Sequence, residues 1–156
     1  MRSRLAVARS EGRLAVTPTG GHVPAAHLVP IDAYETDFVG VAERFLGVPY
    51  LWGGKTTLGI DCSGLVQIAL AACGIACPRD SDMQEQALGK ALAPSHEQLR
   101  CGDLLFWKGH VAIARSATSL VHANAFHMAV AIEPTAEAIA RISASGSEVT
   151  TVRRPK

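Results

Sequence analysis

The chain has 156 residues, 48% of them hydrophobic and 19% charged, with a formal net charge of +1. That length and composition fit a folded chain with room for one core of ordinary size and exclude an intrinsically disordered one. The balance of 15 basic and 14 acidic side chains gives no electrostatic reason for nucleic acid or an anionic membrane as main partner, and no apolar run approaches the roughly 20 residues of a membrane-spanning helix.

Residues 1–33 differ in composition from the rest. The first eleven are basic, with an apolar patch too short and too interrupted for a signal-peptide core, so the expected compartment is the cytoplasm. Leu14-Ala15-Val16 and Gly21-His22-Val23 read as short β pieces joined by the turn Thr17-Pro18-Thr19-Gly20-Gly21. The segment is too short for a domain of its own. It reads as a β-ribbon or the remnant of a larger module, with Val29-Pro30-Ile31-Asp32-Ala33 as linker.

Residues 34–156 form the main body. Thr36 is a good N-cap for a helix in which Phe38, Val41, Ala42 and Phe45 recur at helical spacing, and Gly47 and Pro49 end it. The connection Tyr50-Leu51-Trp52-Gly53-Gly54 leads to Asp61-Cys62-Ser63-Gly64, which opens a second helix. That helix is apolar nearly all round, with Gln67 its one polar exception, and stops at Gly74. Such a helix is central and buried. Ser81-Asp82-Met83-Gln84 fits a capping box at the start of a third helix, and residues 90–100 read as a polar connection. Strands are expected over residues 103–107 and 110–114, joined by the tight turn Lys108-Gly109, then over 119–123, 128–132 and 149–153. Pro134 is placed at the first position of a helix running to Ile142. Helices first and strands second, with hairpin connections, predict an α+β fold with an antiparallel sheet.

Four cysteines are present, with no Cys-x-x-Cys spacing and no His-x-x-x-His to accompany them, which speaks against a structural zinc site. Cys73 and Cys77 read as small buried hydrophobes and Cys101 as a turn residue. Cys62 is different, because a helix N-terminus offers partial positive charge and free N–H groups to a thiolate and to an oxyanion. Alone it could equally be an inert buried thiol. A cysteine nucleophile needs a neighbouring imidazole, and that imidazole needs an orienting partner. His110 and His122 begin and occupy consecutive predicted strands, so antiparallel pairing would set them side by side, His110 as base and His122 as orienter. Asn124 shares a face with His122 and is a weaker candidate for the orienting role. His127 falls on the opposite face of a continuous strand, and His22, His27 and His96 read as surface residues.

These blocks resemble the NlpC family of papain-like cell-wall cysteine peptidases. The resemblance rests on residues 45–54, on Asp61-Cys62-Ser63-Gly64-Leu65-Val66, on residues 102–107 with Gly109-His110-Val111-Ala112-Ile113, and on Leu120-Val121-His122-Ala123. It implies Cys62 as nucleophile, His110 as base and His122 as orienting residue, with no cofactor and no metal. The implied reaction is hydrolysis, through a thioester, of the amide between the γ-carboxyl of D-glutamate and a diamino acid in peptidoglycan stem peptides or muropeptides. Tyr50 matches a tyrosine bordering the catalytic centre, against the plainer reading of a packing aromatic. Asp61 and Ser63 match positions that hold a substrate amine, although Asp61 is also a natural helix cap. Arg79, Asp80 and Ser81 resemble a substrate-pocket stretch, with Ser81 equally a cap. Residues 21–28 resemble the last strand and exit of a bacterial SH3-like domain. Two other readings remain: acyl or amide transfer on the same thiol, and a non-catalytic muropeptide-binding module. Oligomeric state is left open.

Overall fold

A computed structural model describes residues 3–93 and 98–155; His96 and part of the expected polar connection lie outside them. The chain divides into two compact units, Arg2–Tyr34 and Glu35–Lys156.

The first unit is a three-stranded antiparallel meander of β1 (Arg9–Glu11), β2 (Leu14–Val16) and β3 (His22–Pro24), followed by a 3-10 turn at Ala25–His27. The β2–β3 turn is closed by the Thr17 hydroxyl, which accepts the Gly21 N–H at 2.8 Å, and Gly20 supplies the left-handed backbone it needs at φ 83°. β1 was not expected from the sequence. Its Arg-Ser-Glu side chains are all exposed, so it carries no apolar alternation to announce it.

The second unit opens with α1 (Phe38–Glu43), which is capped by Asp37 rather than Thr36: one Asp37 carboxylate oxygen accepts the N–H groups of Val39 and Gly40, each at 3.0 Å. A two-stranded ribbon, β4 (Lys55–Thr56) and β5 (Gly59–Ile60), interrupts the glycine-rich connection. α2 (Cys62–Ala72) follows, ending as expected near Gly74, which takes φ 77°. Gln67 is used to hold neighbours: it accepts from Lys55 Nζ and donates to the Cys77 carbonyl, both at 3.0 Å.

α3 (Ser81–Ala87) has Asp80 at its N-cap, and the expected capping box does not form. Gln84 turns inward instead. It is wholly buried, and its amide donates to the carbonyls of Ser63 and Pro78, each at 2.9 Å. Two buried carbonyls that need donors outweigh one exposed cap bond.

The remaining elements are β6 (Lys90–Leu92), β7 (Leu104–Trp107), β8 (His110–Ala114), β9 (Ser119–Asn124), β10 (Ala129–Pro134), α4 (Thr135–Ala144) and β11 (Thr151–Arg154). They build a six-stranded antiparallel sheet in the order β10-β9-β8-β7-β11-β6. β6, a short and mostly exposed edge strand, replaces part of the expected connection. Pro134 ends β10 and caps α4 rather than starting the helix.

Strand alternation sorts the core into two layers. Leu104, Phe106, Val111, Ile113, Val121 and Ala123 meet Leu65, Val66, Ala69 and Leu70 of α2 on one face. Leu105, Trp107, Ala112, Ala114 and Leu120 meet Ala138, Ile139 and Ile142 of α4 on the other. Each large apolar side chain buried this way contributes about 1.5–3 kcal/mol, so α2 is locked against the sheet by several such contacts and its first turn is held in place. The result is the α+β architecture with an antiparallel sheet read from the sequence.

Candidate active site

The nucleophile candidate is set by packing around a glycine. α2 begins where Gly64 passes the Gly54 carbonyl so closely that an added Cβ would lie 2.5 Å from that oxygen and 2.9 Å from an Asp61 oxygen. Glycine at position 64 lets the first turn of α2 sit against the Gly54 carbonyl. Asp61 then caps the helix, accepting the Gly64 N–H at 2.7 Å.

Cys62 occupies the first helical turn and is 7% exposed. Burial pushes its thiol above the ordinary range and the Asp61 charge adds to that, while the backbone N–H groups of Val111, Ser63 and Cys62 itself pull the other way. The sulfur therefore meets the backbone of β8 one residue after His110. The Cys62 and Ser63 N–H groups have no intrahelical acceptor at this end of the helix, and they act on the Cys62 sulfur.

His110 and His122 do come together. His110 Nε2 lies 2.9 Å from His122 Nδ1, with ring centroids 5.1 Å apart. His110 Nδ1 takes part in no hydrogen bond among the described residues, and none joins Cys62 Sγ to either ring. Catalytic contacts of this kind commonly tighten only when substrate is bound. Burial, then the neighbouring charges of His122 and Arg141, push the His110 imidazole down to about 3, with Glu133 opposing. A raised thiol and a lowered imidazole make the resting pair neutral at pH 7: an S–H and an unprotonated base.

That shift carries a stability consequence. An unfolded histidine titrates near about 6.5, so between that value and the folded value of about 3 the unfolded chain binds more protons than the folded one. The stability tied to His110 is thus complete above about pH 6.5 and is lost as pH falls toward 3. Thermal unfolding midpoints should drop between about pH 7 and pH 5, and the drop should be smaller in His110→Gln. Equal midpoints at both pH values would contradict a half-buried, neutral His110.

Tyr50 is half-buried beside the thiol. Its backbone N–H donates to the Met128 carbonyl at 2.9 Å, and Met128 adopts φ 51° in the turn before β10. Partial burial, followed by the charges of Cys62 and Asp61, raises the Tyr50 phenol, so its hydroxyl stays protonated and able to donate.

Asp61, Ser63 and Arg79 form one cluster. Arg79 donates to both Asp61 oxygens at 2.9 and 2.6 Å, to the Ser63 hydroxyl at 2.9 Å and to the Gly54 carbonyl at 3.3 Å. Gly53 N–H reaches the second Asp61 oxygen at 2.8 Å. Burial alone would raise the Asp61 carboxyl, but the bonds from Arg79, Gly64 and Gly53 outweigh it and hold it below the ordinary carboxylate range. Asp61 thus acts as a cap and ion-pair partner. Asp80 is exposed outside this cluster, and Ser81, half-buried at the start of α3, makes no hydrogen bond with described residues.

Of the remaining candidates, Asn124 and His127 pair with each other: the Asn124 side-chain oxygen takes the His127 backbone and Nδ1 groups at 2.8 and 3.0 Å. Asn124, the buried last residue of β9, therefore holds the turn that follows, and His127 is exposed. Cys73 and Cys77 are half-buried and Cys101 is exposed; all are free thiols.

Sequence reasoning missed Glu133 and Arg141. Glu133 Oε1 lies 2.6 Å from His122 Nε2 and also accepts from Arg141 Nη2. The signal was there: Ala131 pairs with His122 across β10 and β9, and Glu133 is two residues further on the same face. Ending the strand at Ile132 hid it.

A thiol at the start of a central helix packed on an antiparallel sheet, with a histidine pair carried on adjacent strands of that sheet, is the arrangement of papain-like thiol enzymes. Within that class the chain belongs to the NlpC/P60 family, whose sequence profile matches residues 47–144. A dipeptidyl-peptidase 6 of Lysinibacillus sphaericus is 38% identical over 100 residues, covering 64% of this chain and 36% of that protein. A gamma-D-glutamyl-L-lysine dipeptidyl-peptidase of Bacillus cereus is 34% identical over 106 residues, covering 63% and 31%. The crystal structure of an NlpC/P60 family protein from Bacillus cereus superposes with a TM-score of 0.70 at 28% identity, covering 97% of this chain and 53% of the other. The peptidoglycan hydrolase RipB of Mycobacterium tuberculosis superposes at 0.62 with 29% identity, covering 75% and 62%. The chain spans about a third of the length of the two sequence relatives.

Proposed function

We propose that this chain is a cysteine peptidase that hydrolyses the γ-D-glutamyl–diamino acid amide of peptidoglycan-derived peptides. The observation that carries the reading is the conjunction of Cys62 at the start of α2, against the Val111 N–H, with His110 paired to His122 at 2.9 Å. The names of the Bacillus cereus dipeptidyl-peptidase and the Mycobacterium tuberculosis peptidoglycan hydrolase supply the substrate class.

In this mechanism His110 Nδ1 takes the Cys62 proton as the sulfur attacks the γ-carbonyl carbon. The carbonyl π electrons move to oxygen, and the Cys62 and Ser63 N–H groups, with the Tyr50 hydroxyl, stabilise the oxyanion. Collapse expels the amine, which receives the proton from His110 and leaves a thioester. Water, deprotonated by His110, then cleaves the thioester and restores the thiol.

Arg79 is the solvent-facing cation of the cluster, with a side chain 27% exposed, and suits a free carboxylate on the stem peptide. Asp61 and Ser63 are the matching groups for a substrate amine, which would share their oxygens with Arg79; Asp80 and Ser81 border the same place. We read the N-terminal meander as the end of an SH3-like module, and the cytoplasm, on recycled wall peptides, as the place of action. Four free cysteines suit a reducing compartment.

The test is mass spectrometry of the products from defined tri- and tetrapeptide muropeptides. The expected result is a free diamino acid or its peptide, with γ-glutamyl carboxylate formed in water alone. Dependence on an added acyl acceptor would favour transfer, and binding without any turnover would favour a recognition module.

A further inference from the structure

The histidine pair is the inner part of a longer chain of contacts. His122 has both ring nitrogens engaged: Nδ1 with His110 Nε2 at 2.9 Å and Nε2 with Glu133 Oε1 at 2.6 Å. Arg141 of α4 closes on the same Glu133 oxygen. The His122 and Glu133 side chains are 0% and 8% exposed, so water does little of this work.

Protonation states follow from the donor inventory. Burial would raise the Glu133 carboxyl, but His122 and Arg141 outweigh that and hold it below the ordinary range, so it is a carboxylate. A carboxylate only accepts; hence His122 Nε2 carries the hydrogen. With that hydrogen on Nε2, the Nδ1 lone pair of His122 is placed to accept the hydrogen on His110 Nε2, 2.9 Å away. That leaves the lone pair of His110 on Nδ1, the nitrogen with no hydrogen-bond partner among the described residues.

Resting on the peptidase reading above, we infer that Glu133 and Arg141 are positioning residues that fix the tautomers of both catalytic histidines. Glu133 orients His122. Arg141 neutralises Glu133, so that the carboxylate does not draw a second proton onto His122. A doubly protonated His122 would present N–H at Nδ1. His110 Nε2 would have to accept, its hydrogen would move to Nδ1, and the base would be lost. Arg141 is itself held in place, its guanidinium 4.4 Å over the Phe126 ring.

The charged and titratable groups meeting His122 are His110 from β8, Glu133 from β10 and Arg141 from α4. Glu137, one turn before Arg141, is exposed.

The experiment combines imidazole 15N shifts with pH profiles of kcat and KM, for the full chain and for R141Q, E133Q and the double variant. The wild-type shifts should report the hydrogen on Nε2, and the lone pair on Nδ1, for both histidines. R141Q should protonate His122 doubly and move the acid limb of kcat upward by about one pH unit or more, with KM little changed and activity recovered in alkali. E133Q should mix the tautomers and lower kcat about tenfold or more at every pH, without moving the limb. The double variant should return the limb to its wild-type place. If R141Q folds poorly, R141K must keep the wild-type limb.

Unchanged tautomers and an unmoved limb in R141Q overturn the inference, as does an even loss of activity and thermal stability in all variants. The 15N measurement needs no substrate. A wild type with these tautomers that cleaves no γ-D-glutamyl peptide would sink the peptidase reading and leave the relay standing.

Discussion

Under the proposed mechanism, replacing Cys62 by alanine is expected to abolish hydrolysis while leaving the fold and muropeptide binding in place. The expected fall in kcat/KM is about 10⁴-fold or more, because nucleophile and base act as a unit and neither substitutes for the other. Little structural cost accompanies it. Alanine keeps the helical start, Asp61 still caps Gly64, and the sulfur makes no side-chain hydrogen bond with the described residues. Turnover by coupled amine detection, binding by calorimetry and a thermal scan separate the three quantities. Residual turnover within tenfold of wild type would move the nucleophile elsewhere.

The second large effect belongs to Asp61, and it is on stability first. Asp61→Ala removes the cap of α2, strands the Arg79 guanidinium and frees the Gly53 and Gly64 N–H groups at once. The Asp61 side chain is only 12% exposed, although Arg79 at 27% retains some water. Breaking one partner of a buried pair costs about 3–5 kcal/mol and losing a cap about 1 kcal/mol. Partial exposure of Arg79 trims the first figure, and about 3 kcal/mol overall is expected, a fall of roughly 10 °C in midpoint. Asp61→Asn keeps the cap oxygen and should lose less. Arg79→Ala combined with Asp61→Ala should cost less than the two separately, since each removes the other's partner. Strict additivity would mean that the pair contributes nothing jointly.

Hydrophobic period and punctuation made most of this unit legible. The apolar run after Cys62 and the Lys108-Gly109 turn located α2 and the β7–β8 hairpin, because burial on one face and a tight turn both leave local marks. Strand alternation also placed His110 and His122 on one face, where they meet. What stayed hidden depended on contacts distant in sequence. Gln84 looked like a capping residue until Ser63 and Pro78 supplied carbonyls that needed its amide. Thr36 lost the cap of α1 to its neighbour Asp37, which has the stronger acceptor. Glu133 sat one residue beyond the strand as drawn, and Arg141 reaches it from a helix whose docking no local pattern announces. β1 is short and exposed, and β6 turns only Leu92 inward, so neither had an apolar alternation to read.

The central claim is that Cys62 carries the acyl group during turnover. Acid-quenched reactions with a γ-D-glutamyl peptide, digested and read by mass spectrometry, test it directly. The account predicts an adduct equal to the substrate minus its leaving amine, on the peptide containing Cys62 and absent from Cys62→Ala. Continued product release with no adduct on Cys62, or the same adduct on Cys73, Cys77 or Cys101, would contradict it.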